Sequence, residues 1–160
     1  MTRNESEISR MEEFPTKPTG GCHCGAVRYE ATGAPLYVPY CHCETCRKTT
    51  GAPVVLFVMF KEDQVQFTKG VRKVYRSSPS VKRTFCGDCG TPLSYEGGWG
   101  GSEIIEIYIS TLDAPEQFKP DRHVFHGEHI DWFDVADQLP RYIGSSTGAQ
   151  PYQIGPNFES

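Results

Sequence analysis

The chain has 160 residues, of which 38% are hydrophobic and 22% charged, a composition typical of one globular domain with a core of its own. Its 16 Lys and Arg against 20 Asp and Glu give a formal net charge of −4, which argues against a nucleic-acid-binding protein with a basic face. No apolar run is long enough to span a membrane, and the polar N-terminus lacks the apolar segment of a secretory signal. We therefore expect a cytoplasmic protein with no nucleic-acid or membrane partner.

In chain order, residues 1–17 are charged and lack periodicity, with the helix breakers Pro15 and Pro18 at their end, which predicts a flexible N-terminal tail. Residues 18–143 predict a single domain made mostly of strands, with short helical turns at 44–49 and 114–118. The strand-like segments are 27–31, 54–60, 65–68, 71–76, 81–85 and 104–109. Residues 144–160, rich in Gly, Ser, Pro and Gln, predict a flexible C-terminal tail. The pattern favours a mainly β protein of antiparallel hairpins with one or two short helices.

The seven cysteines fall into three close-set clusters, and none stands alone. The clusters are C-x-C at 22–24, C-x-C-x-x-C at 41–46 and C-x-x-C at 86–89. An odd number disfavours a closed disulfide framework. In a reducing compartment, cysteines at such spacings are typical of metal ligands or catalytic groups.

The last cluster has the form of a zinc knuckle. Two residues separate Cys86 from Cys89 in a segment that contains Gly87 and Gly90, so both sulfurs can reach one ion around a tight turn. Cys22 and Cys24, also flanked by glycines, could supply the second pair and close a structural site of four thiolates. The alternative, buried free cysteines, does not explain the paired spacing.

Three cysteines remain, namely Cys41, Cys43 and Cys46. Three protein ligands with an exchangeable fourth position are typical of a catalytic zinc. In the alternative, His42 or His23 is the fourth ligand and the site is closed. Each of these histidines lies between two cysteine ligands, so we expect its side chain to point away from the metal that they share.

Basic residues lie beside two of the clusters. Arg47 and Lys48 follow Cys46, where they could attract a carboxylate-bearing substrate or be ordinary surface cations. Lys82 and Arg83 precede the second knuckle and leave the same two alternatives open.

Aromatic and histidine residues gather towards the C-terminal end of the predicted domain. Trp132 and Phe133 follow His123, His126 and His129. For this group a core or lid role is favoured over catalysis.

Five short segments follow one another along the chain. They are 21–29 (GCHCGAVRY), 41–48 (CHCETCRK), 89–93 (CGTPL), 122–125 (RHVF) and 139–141 (LPR). Together they resemble the glutathione-dependent formaldehyde-activating (GFA) family, also called the centromere protein V/GFA domain. The resemblance covers residues 20–142, and all seven cysteines match the pattern.

This resemblance implies a β-tent of stacked antiparallel sheets with zinc knuckles and two zinc ions per chain. It assigns the structural zinc to Cys22, Cys24, Cys86 and Cys89, and the catalytic zinc to Cys41, Cys43 and Cys46. The implied activity is that of a carbon–sulfur lyase, which adds a small thiol such as glutathione to a small aldehyde such as formaldehyde and gives S-hydroxymethylglutathione. The alternative is a non-catalytic binding module that uses zinc as scaffolding.

Overall fold

The computed structural model describes residues 14–99 and 102–152, and within them the protein is mainly β. Residues 1–13 of the predicted N-terminal tail and 153–160 of the predicted C-terminal tail lie outside these residues, and the flexibility of both tails stays a prediction. The strands are β1 Thr19–Gly21, β2 Arg28–Ala31, β3 Pro39–Cys41, β4 Val55–Lys61, β5 Val65–Lys69, β6 Arg72–Ser78, β7 Val81–Cys86, β8 Pro92–Trp99, β9 Ser102–Tyr108 and β10 Arg122–Val124. Within the described residues the α-helix is α1, Glu44–Thr50, and 3₁₀ turns span Glu62–Gln64, Ile109–Thr111, Pro115–Gln117 and His126–Glu128.

The described residues divide into two compact units, the first made of residues 14–37, 58–99 and 102–119 and the second of residues 38–57 and 120–152. In the first unit, β1, β2 and β5 form an antiparallel three-stranded sheet. Strands β6 to β9 pair in sequence as an antiparallel meander. This is the hairpin architecture that the sequence predicts.

The core of the first unit is built from alternating inward positions. Tyr29 and Ala31 of β2 are buried, as are Ile105 and Ile107 of β9. Because side chains on a strand alternate between faces, residues two apart face the same core. Phe60, which ends the continuous apolar run in β4, is also fully buried.

In the second unit, β3 lies between β10 and the first residues of β4. Strand β3 pairs antiparallel with β4 and parallel with β10. A parallel neighbour needs a crossover connection, and here the chain between β3 and β10 supplies it. The expectation of hairpins alone is therefore wrong for β10.

Helix α1 follows β3 after two residues and is closed at both ends. The sulfur of Cys43 accepts a hydrogen bond from the backbone N–H of Cys46, 3.2 Å away, in the position of an N-cap. Gly51 ends the helix with φ of 71°, and its N–H donates to the carbonyl of Arg47 at 2.8 Å. The predicted turns at 44–49 and 114–118 are confirmed as α1 and the 3₁₀ turn Pro115–Gln117. No helix in the described part of the chain is long and apolar enough to cross a membrane.

Candidate metal centres

The four-cysteine cluster lies in the first unit, where two strand ends meet. Cys22 directly follows β1, and Gly25, with φ of 75°, turns the chain back towards β2. Cys86 ends β7, and the N–H of Gly90 donates to its carbonyl at 2.9 Å. Each cysteine pair thus sits on a tight turn closed by backbone hydrogen bonds.

The four sulfurs of this cluster all lie within 4.8 Å of one another. The Sγ atoms of Cys22 and Cys24 are 3.5 Å apart, and those of Cys24 and Cys86 are 3.8 Å apart. Four thiolates at about 2.3 Å from a tetrahedral zinc ion have sulfur–sulfur separations of about 3.8 Å. The donor set and its spacing therefore fit a closed zinc site of Cys22, Cys24, Cys86 and Cys89.

Two exposed members of this cluster have opposite tendencies to lose a proton. The pKa of Cys89 is lowered to about 5 because the hydroxyl and backbone of Thr91 stabilise its thiolate. The pKa of Cys24 is raised to about 12, since the sulfurs of Cys22 and Cys89 outweigh the favourable backbone contact of Ala26. A bound cation favours the thiolate at every ligand, which removes the penalty of gathering four sulfurs.

The three-cysteine cluster lies in the second unit, where β3 leads into α1. Cys41 ends β3, Cys43 caps α1, and Cys46 lies one turn into the helix. Their sulfurs lie within 4.8 Å of one another, with 3.6 Å between those of Cys41 and Cys46. Cys41 and Cys46 are buried, whereas Cys43 is half-buried. Solvent therefore reaches this cluster from the side of Cys43.

The arrangement of these three sulfurs suits an ion rather than three thiols. The pKa of Cys41 is raised well above its ordinary value because Cys43 and Cys46 crowd it and because it is buried. Among the described residues, no fourth His, Cys, Asp or Glu joins the group. His42 belongs to a different cluster, and His23 belongs to none of the clusters found in the described chain. The donor set fits zinc with three protein ligands.

A family model described as glutathione-dependent formaldehyde-activating enzyme matches residues 17–128. The chain belongs to this family. An uncharacterized lyase of Schizosaccharomyces pombe is 36% identical over 123 residues, which are 77% of this chain and 88% of the yeast protein. A putative glutathione-dependent formaldehyde-activating enzyme of Halomonas elongata is 27% identical over 128 residues, 72% of this chain and 79% of that one.

The fold is similar to a crystal structure of a Rhodobacter sphaeroides protein. The TM-score is 0.50 at 22% sequence identity, and the match covers 59% of this chain and 87% of that one. At this identity the likeness concerns the fold alone. It agrees with the mainly β class predicted from the sequence.

In this GFA-family chain the basic residues beside the clusters have structural partners. The guanidinium of Arg47 donates to the carbonyls of His42 and Glu128 at 3.1 and 2.9 Å. Lys48 pairs with Glu44 at 2.7 Å, one turn earlier on α1. In the first unit, Lys82 lies 3.4 Å from a carboxylate oxygen of Glu96. Arg83 is buried, and its guanidinium lies 3.4 Å from the Tyr108 hydroxyl.

The second unit also contains a buried histidine cluster that the sequence did not reveal. His42, His123 and His126 are each less than 10% exposed, and one nitrogen of each lies within 4.8 Å of the others. Burial lowers the pKa of His42 to about 3 and that of His126 to about 4, with neighbouring histidines adding to the effect. The imidazoles are therefore neutral at pH 7.

Trp132 is 80% exposed, so of the two roles predicted for it the core role is wrong and the lid role stays a prediction. Its ring meets only the edge of Phe133 among the aromatic contacts of the described residues. His129, by contrast, stacks on His126 with ring centroids 4.3 Å apart. The core role thus applies to His123 and His126 but not to Trp132.

Proposed function

We propose that the protein is a zinc-dependent carbon–sulfur lyase of the GFA type that forms or breaks the adduct of a small thiol and a small aldehyde. S-hydroxymethylglutathione, made from glutathione and formaldehyde, is the proposed example. Membership of the family and the names of the two relatives support this reaction class. A cytoplasmic location, where small thiols are reduced, is part of the proposal.

The observation that carries the proposal is the open three-cysteine cluster. Cys41, Cys43 and Cys46 would hold a zinc ion and leave one coordination position for a ligand from solution. Cys43 is half-buried, so a small molecule can approach from its side. The four-cysteine cluster, in contrast, would fill every position of its ion with protein sulfur.

Zinc bound there would lower the pKa of an incoming thiol and bring it next to a carbonyl group. In the reaction the thiol sulfur bonds to the aldehyde carbon, the carbonyl π electrons move to oxygen, and that oxygen takes the proton that the thiol has lost. Sulfur donors suit a sulfur-rich, soft site, which favours a thiol over water as the ligand. Holding both reactants at one place removes part of the entropy cost of their encounter.

The protein's own contribution is to fix the three sulfurs before substrate arrives. Cys43 and Cys46 are held one helical turn apart by the N-cap hydrogen bond. Arg47 of α1 donates hydrogen bonds to two carbonyl oxygens of the same unit, which fixes the helix in place. Its positive charge follows Cys46 directly in the chain. That charge offsets the net negative charge of three thiolates on one dication and favours an anionic thiol such as glutathione.

The test measures how fast the zinc-loaded, untagged chain equilibrates glutathione with formaldehyde, using exchange NMR against the uncatalysed rate. We expect acceleration by the wild-type protein and the uncatalysed rate with Cys46→Ser or Cys43→Ser. Thr45→Ala is the matched control, because Thr45 is exposed on the same helix and its variant should keep the wild-type rate. N-acetylcysteine and 2-mercaptoethanol, tested in parallel, define the thiol class.

A non-catalytic binding module is the second candidate. It would be supported if the chain held its zinc, folded, and accelerated none of the thiol–aldehyde pairs. In that case the half-buried cluster would be a structural knuckle rather than a substrate site.

A further inference from the structure

We propose that His42, His123 and His126 bind a third metal ion, separate from both cysteine clusters, and that this ion holds the second unit together. The ion would be a divalent transition metal of the zinc type, since imidazole nitrogens suit such ions. The three rings are almost completely buried, which fits a structural role rather than contact with a substrate.

The strand pairing brings the three residues together. His123 lies in β10 beside Tyr40 of β3, and the N–H of His42 donates to the carbonyl of Val124 at 3.1 Å. Because His42 is placed between Cys41 and Cys43 in extended chain, its ring points away from their sulfurs. The histidine cluster and the cysteine cluster therefore have no ligand in common.

Two nitrogens of the cluster are buried without a hydrogen-bond partner, Nδ1 of His42 and Nε2 of His126. A buried polar atom without a partner costs about 1–3 kcal/mol, so two in one small cluster need an explanation. Protein structures usually satisfy such atoms with protein, water or an ion. Coordination to a metal would give Nε2 of His126 a partner. Nδ1 of His42 lies on the opposite side of its ring from Nε2, the atom 2.8 Å from His123, and would not bind the same ion.

The opposite nitrogens of two rings are held by acidic or hydroxyl groups, as is usual for metal-bound histidines. Nε2 of His123 lies 3.0 and 3.1 Å from the two carboxylate oxygens of Asp137. Nδ1 of His126 contacts the hydroxyl of Tyr152. Asp137 is itself held by the buried Arg141 at 3.1 Å. These contacts occupy one nitrogen of each ring and leave Nδ1 of His123 and Nε2 of His126 as the atoms that could bind the ion.

The inner spacing is close to that of a metal site. Nε2 of His42 and Nδ1 of His123 are 2.8 Å apart. Two imidazole nitrogens on a tetrahedral zinc ion are about 3.3 Å apart, so the rings would move by about half an ångström. If these two atoms were only hydrogen-bonded to each other, His126 would still have an unpartnered nitrogen.

The first experiment is metal analysis of the full chain, purified without a histidine tag and dialysed against metal-free buffer. We expect about three zinc ions per chain in the wild type and about two in His126→Gln. His129→Gln is the matched control, because His129 stacks on His126 but lies outside the ligand set, and it should keep all three. Two ions in the wild type, or equal losses in both variants, would overturn the proposal.

A second measurement on the wild type alone covers the case in which His126→Gln does not fold. Cobalt(II) is titrated into the metal-free full chain, which folds as it binds metal, while absorption is recorded. Cysteine ligation gives intense thiolate-to-cobalt bands, whereas a site of three nitrogens adds only weak visible bands. We expect a further equivalent of cobalt to bind after the thiolate bands have reached their plateau. If binding ends with the thiolate bands, there is no histidine site, whether or not the chain is a lyase.

Discussion

Loss of one ligand should destabilise the protein far more in the four-cysteine cluster than in the three-cysteine cluster. Cys86 is 1% exposed, ends β7, and has its sulfur 3.8 Å from that of Cys24. A structural zinc site contributes about 10–16 kcal/mol to folding, and the whole stability of a domain is about 5–15 kcal/mol. Removing one of the four ligands therefore weakens a contribution to the folding free energy that is as large as the net stability of the domain. We expect Cys86→Ser to be unfolded.

Cys46→Ser should cost far less, because α1 keeps its backbone hydrogen bonds and its Gly51 cap. We expect a loss of about 1–3 kcal/mol, the usual range for a buried substitution. Thermal unfolding followed by circular dichroism, with and without a zinc chelator, measures both variants. The chelator should unfold the wild-type protein, as the substitution Cys86→Ser is expected to do. Equal loss of folding in both variants would refute the division into a closed and an open site.

Two further predictions concern the first unit and the helix cap. Gly70 and Gly51 have nearly the same positive φ, 73° and 71°. A Cβ added to Gly70 would lie 2.1 Å from the carbonyl oxygen of Ala26, whereas a Cβ added to Gly51 would meet no atom within 4 Å. Gly51→Ala should cost about 1–2 kcal/mol from backbone strain alone, and Gly70→Ala about 1–3 kcal/mol more from overpacking; equal values in urea unfolding would contradict this. The second concerns acid: the Arg28 guanidinium lowers the pKa of Asp113 below its ordinary 3.8. The charged carboxylate thus stabilises the fold above that value and the contribution disappears as the pH falls through the lowered pKa. Because both groups are partly exposed, Asp113→Asn should cost less than about 1 kcal/mol at pH 7, and the cost should shrink as the pH falls below 3.8. A cost that did not shrink in acid would show that the ion pair is not its source.

The three-cysteine cluster and the two cysteine pairs could be predicted from the sequence because their members are two or three positions apart, whereas the meeting of Cys22 and Cys24 with Cys86 and Cys89 was implied by the family resemblance. Such spacing fixes the separation of sulfurs through a turn or one turn of helix, whatever the rest of the chain does. Strand β4 could also be predicted from its continuous apolar run, because a strand buried on both faces does not alternate apolar and polar residues.

The histidine cluster could not be predicted in the same way. His42 and His123 are 81 positions apart and meet through β3 and β10, each of three residues. Strands so short have no periodic pattern, and their parallel pairing depends on the path of the whole intervening chain. Strand β8 was also missed, because Ser94 and Glu96 place buried polar side chains where an apolar alternation was sought.

The most direct test of the open site is whether a thiol from solution binds the metal of the three-cysteine cluster. The chain is loaded with cobalt(II), and glutathione is added while thiolate-to-cobalt absorption is recorded, with Cys86 and its three partners serving as the closed internal reference. We expect the absorption to rise by about one thiolate per chain and then to saturate, and the rise to be absent in Cys46→Ser. An unchanged spectrum at saturating thiol would mean that the coordination is already complete and would contradict the account of this site as catalytic.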